Sequence, residues 1–282
     1  MSRLRTIVTG RVFLESPRWH DERLWVADWG THEALRIDPE GGVEVMARTA
    51  SFPMCIEHLP NGRLLIVDSA ERRLARLEPD GVLSLHADLS GLSDRSVIGN
   101  DIVVDGRGNI YVNDVNYDFP GGEFRPGWVA LVTPDGQVRR VAEELLFPNG
   151  MAVTADNSTL IVAESHGGRL TAFEIEANGD LTHRRVWAKI EGPPDGICID
   201  AEGCVWYADV PNRRCVRVAE GGEVIQTVQT DRGAFSCALG GPSRLTLYIV
   251  GQNWKGPAGL GAAARTGQVV AIDVAIPGAG WP

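Results

Sequence analysis

Six short apolar runs of one design recur along the chain: "RLWVADW" from Arg23, "RLLIVDS" from Arg63, "NIYVNDV" from Asn109, "TLIVAES" from Thr159, "CVWYADV" from Cys204 and "TLYIVGQ" from Thr246, a little over forty residues apart. Most lead into a second alternating run, such as "ALRIDPEG" or "WVALVTPDG", closed by an acidic or glycine turn that opens a hairpin. A third strand follows the turn ("VEVMAR", "VRRVAEE"), and a further apolar segment with its own turn precedes the run ("IVVDGRGN", "AVTADNST", "ICIDAEGC"). Each unit therefore reads as four antiparallel strands with no helix between them. Four-stranded sheets at this period are propeller blades, and six of them close a ring around a central channel. The expected fold is all-β, a six-bladed β-propeller with four antiparallel strands per blade, forming one domain over residues 1–282. "RTIVTG" near the start and "GQVVAIDV" near the end are expected to share the last blade, because ring closure removes exposed sheet edges. A sandwich or two stacked barrels is the alternative.

Charge and cysteine usage narrow the function classes. Lys plus Arg number 27 against 37 for Asp plus Glu, a formal charge of −10 with no basic run to track phosphates, so nucleic acid is not expected as a partner. The first residues, "MSRLRTIVTGRVFLESPRW", contain no apolar segment followed by small residues, and no window reaches membrane-spanning length. Cys55, Cys198, Cys204, Cys215 and Cys237 are odd in number and lack CxxC pairing, which fits buried free thiols in a cytoplasmic protein.

Counting back from the recurrent runs, the threshold of the first strand of each repeat is Glu15, Met54, Asn100, Asn149, Asp195 and Phe235. Four of these six carry side-chain oxygen, and in a ring of blades the six positions converge near the channel mouth. Two carboxylates and two amide carbonyls on one axis suit a hard divalent cation. The competing explanation is turn chemistry, since Asn-Gly and Asp-Gly are common turn pairs and repeats repeat their turns. Glu15, in "LESPRW", sits where no turn asks for a Glu.

"LESPRW", "GNDIVVDGRGNIYVND", "FPNGMAV", "PDGICIDAEGCVWYAD" and "SCALGG", in this order over nearly the whole chain, resemble the gluconolactonase/regucalcin (senescence marker protein) family. The resemblance implies a six-bladed propeller with one divalent cation (Ca, Zn, Mg or Mn) at the channel mouth, and lactone hydrolysis on a small-molecule substrate. It assigns Glu15, Asn149 and Asp195 to the metal, and Asp195 also to taking a proton from the attacking water. Asn100 and Asp101, the "ND" pair, are assigned to the substrate, with Asn100 otherwise completing the metal shell. Sugar-lactone members often carry an Arg two residues before the "ND" Asn; here that position is Ile98, with Arg95 nearby but out of register. Ile98 is therefore expected to face the substrate and to turn the site toward less polar lactones or other esters.

No G-x-S-x-G elbow is present, so water is the expected nucleophile. The six histidines show neither HxH nor HExxH spacing, which speaks against a histidine-based zinc site. His166, after a strand end, is the histidine expected to touch substrate. Trp25 and Trp206 read as packing residues, Trp29 and Trp254 as pocket walls. The insertion from Val115 to Trp128, rich in Gly, Pro and aromatic residues, reads as a lid carrying Tyr117, Phe119 or Phe124, or else as a plain surface excursion. Two other classes stay open: a non-enzymatic propeller that binds a ligand or peptide, and an arylesterase-like or strictosidine-synthase-like enzyme.

Overall fold

A computed structural model describes residues 3–260 and 264–281. It contains six four-stranded antiparallel sheets, the arrangement the repeats predict. Numbered in chain order, blades 1 to 5 run Leu14–Arg48, Ile56–Asp88, Ile102–Leu145, Pro148–Lys189 and Pro194–Gln229. Blade 6 takes three strands from Gly233–Gly240, Thr246–Gln252 and Gly267–Asp273, and its outer strand from Arg5–Arg11. That outer strand pairs antiparallel with Gly267–Asp273, so both ends of the chain close the ring as expected. Among the described residues, no helix is long and apolar enough to cross a membrane.

Each inner and second strand is buried on both faces, which explains their apolar runs, while the outermost strands are mostly exposed or half-buried. The inner strands of neighbouring blades pack against one another around the axis. Trp25 and Trp206 lie in the interior clusters between blades, in agreement with their reading as packing residues. All five cysteines are free and buried.

The inner strands share a local irregularity that positions the site. In blades 1, 4, 5 and 6 the ladder slips between Glu15 and Arg18, Pro148 and Met151, Pro194 and Ile197, and Ala234 and Ser236. A β-bulge near the threshold of these four inner strands bends the strand and re-aims the threshold side chain. In blades 2 and 3 the paired part of the inner strand begins later, at Ile56 and Ile102.

Asn149 and Asp195 therefore stand inside bulged strands rather than in turns, which answers the turn-pair explanation of their sequence. The glycines after them are required for a different reason. A Cβ on Gly196 would collide with the Ser236 side chain, and one on Gly150 would lie 2.5 Å from the Ile197 amide nitrogen. The two Gly residues let adjacent inner strands close up at the mouth of the channel.

Candidate active site

One cavity of about 490 Å³ opens at this mouth. Glu15, Asn100, Asp101, Asn149 and Asp195 all line it, so four of the six threshold positions meet in one cavity. The other two differ. Phe235 lines the cavity, whereas Met54 turns into the core and leaves its neighbour Cys55 on the wall.

Hydrogen bonds between blades hold these side chains. Asn113 is the hub: its backbone amide donates to Asp101 O (3.0 Å), its Oδ1 accepts from the Asp101 amide (3.0 Å), and its Nδ2 donates to Asn149 O (2.6 Å). Asn149 Nδ2 donates to Ser165 Oγ (3.3 Å), and that hydroxyl donates to Pro194 O (2.6 Å), the carbonyl just before Asp195. Asn100 Nδ2 donates to Pro148 O (3.3 Å). With their NH2 groups occupied, both amides have their carbonyl oxygens left to offer.

Beneath the carboxylates lies a pair that sequence reading missed. Arg18, only 3% exposed, donates from Nε to Glu57 Oε2 (2.7 Å) and from Nη2 to Asp101 Oδ1 (3.3 Å) and Ile102 O (2.8 Å). Asp101 Oδ2 accepts from the Met151 amide (3.1 Å). A signal for the pair was present: Arg18 and Glu57 each stand three residues past the threshold, where blades 4, 5 and 6 carry Ala152, Cys198 and Ala238.

Negative charge is in excess here. Burial, then repulsion from Asp195 and Asp101, pushes the Glu15 carboxyl well above the usual carboxylate range. Burial and the nearby Asp101 do the same to Asp195. Burial and Asp101 also raise the Cys55 thiol well above its ordinary value, so it stays neutral and is no nucleophile; it donates to Asn100 O. Among the described residues, no three His, Cys, Asp or Glu side chains could hold a metal ion by themselves. A cation here depends on the Asn149 amide oxygen beside the Glu15 and Asp195 carboxylates. That donor set is the kind a hard cation takes, and its charge would offset the burial and the crowding that raise both acids.

Above this floor the walls are aromatic. Trp29 and Trp254 line one side, as pocket walls, and Tyr117, Phe119 and His166 line the other. Phe124 does not; it is 43% exposed on the surface, although its ring meets Tyr117 and His166. Ile98 is a correction. Its side chain is fully buried in the core among the strands of blades 2 and 3, and it is not part of the cavity wall. Between it and Asn100, Gly99 takes a φ of +97°, a conformation that favours glycine. Arg95 lines the cavity instead, with Nη1 on Asp114 Oδ1 (2.7 Å) and Nη2 on Asp118 Oδ1 (3.3 Å).

With residues 13–253 matching the family described as "SMP-30/Gluconolactonase/LRE-like region", the chain belongs to that family. It is 26% identical to the pentonolactonase XacC of Haloferax volcanii over 99% of this chain and 96% of that protein. It is 30% identical to the regucalcin of Xenopus laevis over 55% of this chain, a stretch that spans only 57% of that relative. Among solved structures, the fold is similar to that of a luciferin-regenerating enzyme (TM-score 0.83, 20% identity, 99% of this chain and 98% of that one). It is also similar to a calcium-binding regucalcin from Agrobacterium tumefaciens (TM-score 0.79, 19% identity, 100% and 97%).

Proposed function

We infer that this protein hydrolyses lactones, with water as nucleophile and Asp195 as the group that takes its proton. The observation that carries this reading is the meeting of Glu15, Asn149 and Asp195, each from a bulge in a different inner strand, in a cavity with aromatic walls. The family, and the similarity to a protein named a pentonolactonase across nearly all of both chains, support the reaction class.

A divalent cation (Ca²⁺, Mg²⁺, Mn²⁺ or Zn²⁺) held by Glu15, Asn149 and Asp195 would supply positive charge to polarise the lactone carbonyl and acidify water. The chain's own residues do the rest. Asp195 accepts the proton as water attacks the carbonyl carbon. The bond from that carbon to the ring oxygen breaks, the ring oxygen takes the proton, and an open hydroxy acid results. Asn100 offers a carbonyl oxygen to the bound substrate, and Arg18 holds Asp101 in place below it. Trp29, Tyr117 and His166 enclose the ring and keep bulk water from it.

The test is proton release from a panel of γ- and δ-lactones by the chelator-treated protein, before and after each cation is restored. Turnover that returns with a cation, and one cation bound per chain, is the expected result. No hydrolysis of any lactone under any of these conditions would contradict the reading.

A further inference from the structure

The cavity is built for an apolar guest. Phe13 stacks on Trp29 with centroids 5.2 Å apart and meets Phe235 edge-on at 4.9 Å, and Phe235 in turn meets Trp254 at 5.4 Å. Across the opening, Phe147 meets Phe119 at 5.0 Å and His166 at 4.6 Å. The two arrays come from opposite sides of the ring, one from blades 1 and 6 and the loops beside them, the other from the edge of blade 4 and the insertion in blade 3. They face each other across the carboxylate floor.

Away from the oxygen-lined floor, hydroxyl-rich guests meet aromatic walls. A sugar lactone must give up the hydration of several hydroxyls, and each one buried without a partner costs binding. Most side-chain donors around the cavity are engaged: Asn100 with Pro148, Asn149 with Ser165, Ser165 with Pro194, and Arg95 Nη1 and Nη2 with Asp114 and Asp118, while the Trp29 indole and Arg95 Nε have no partner. Anionic guests are repelled as well. Glu15, Asp101, Asp114, Asp118 and Asp195 line the cavity, where the one basic side chain on the wall, Arg95, is already paired with Asp114 and Asp118.

We propose that the preferred substrate is a neutral lactone bearing an aromatic or comparably apolar substituent, seated between the two aromatic arrays with its ester over the carboxylates. This rests on the lactonase reading above and specifies its substrate. Aromatic faces reward a flat ring beyond the area it buries, while the same faces leave sugar hydroxyls unpaired.

The experiment compares kcat/KM for γ-phenyl-γ-butyrolactone and for δ-gluconolactone on the cation-loaded protein. A preference of about tenfold or more for the phenyl lactone is expected, and a smaller ratio or the reverse would overturn the proposal while leaving lactone hydrolysis intact. Phe119→Ala and Trp254→Ala, one from each array, should each cut that preference by about three- to tenfold, chiefly through KM. Unchanged ratios in both folded variants would also overturn it. Should no lactone turn over, quenching of tryptophan fluorescence still decides the point. Saturable quenching by the phenyl lactone and none by gluconolactone supports the proposal, and equal response or none contradicts it.

Discussion

Arg18 Nε lies 2.7 Å from Glu57 Oε2, and the pair is almost wholly shut off from solvent at the centre of the ring. Breaking one side of a buried pair leaves an uncompensated charge, at a cost of about 3–5 kcal/mol. Here the loss of Arg18 would strand Asp101 as well as Glu57. Arg18→Met should therefore destabilise by about that amount in denaturant titration, and Arg18→Met/Glu57→Leu should recover part of it. Additive losses in the double variant would show that the two residues act separately.

A histidine stack at the far end of the same strands makes stability depend on pH. His58 lies under His20 with centroids 3.9 Å apart and neither of its ring nitrogens has a partner. Burial first, then the His20 and Arg18 charges, lowers its pKa to about 3. It is thus neutral in the fold, whereas the unfolded chain binds a proton below about pH 6.5. Stability is unaffected above that pH and falls between about 6.5 and 3, by up to about 1.4 kcal/mol per pH unit for this one proton. His58→Phe should flatten the fall of Tm across this window relative to the wild type. Parallel curves would contradict the assignment.

Gly196 tests the close approach of blades 5 and 6. Gly196→Ala should cost about 1–3 kcal/mol, because the added methyl meets Ser236 and both strands must shift. Ser236→Gly should restore part of the loss. Gly91→Ala, with open space around it, should change stability by less than about 0.5 kcal/mol. A neutral Gly196→Ala would mean that the inner strands are free to separate.

The blades, their closure and the ring of oxygen donors were legible because each is a repeated feature, and six copies in one register outweigh the ambiguity of any one strand. Glu15, Asn149 and Asp195 could be aligned across repeats without knowing that a bulge, not a turn, aims them. Ile98 went wrong for the same reason in reverse. It lies in an irregular segment before Gly99, where counting residues does not say which way a side chain turns. Phe13, Phe52 and Phe147 were missed as walls because they come from connections between blades, and no period marks them. Arg18 and Glu57 sit in register but look like strays in apolar strands until the axis brings them together.

Asp195 carries the proposed reaction. Asp195→Asn keeps a carbonyl oxygen for a cation but loses the basic site, and the equivalent bulge in blade 4 already holds an Asn, Asn149. The measurement is lactone turnover by wild type and Asp195→Asn, each with cation restored, beside their melting temperatures and bound cation. A fall of about 10²–10⁴-fold in kcat with little change in Tm is the result expected of a lost general base. Near-wild-type turnover by the folded variant would contradict the mechanism.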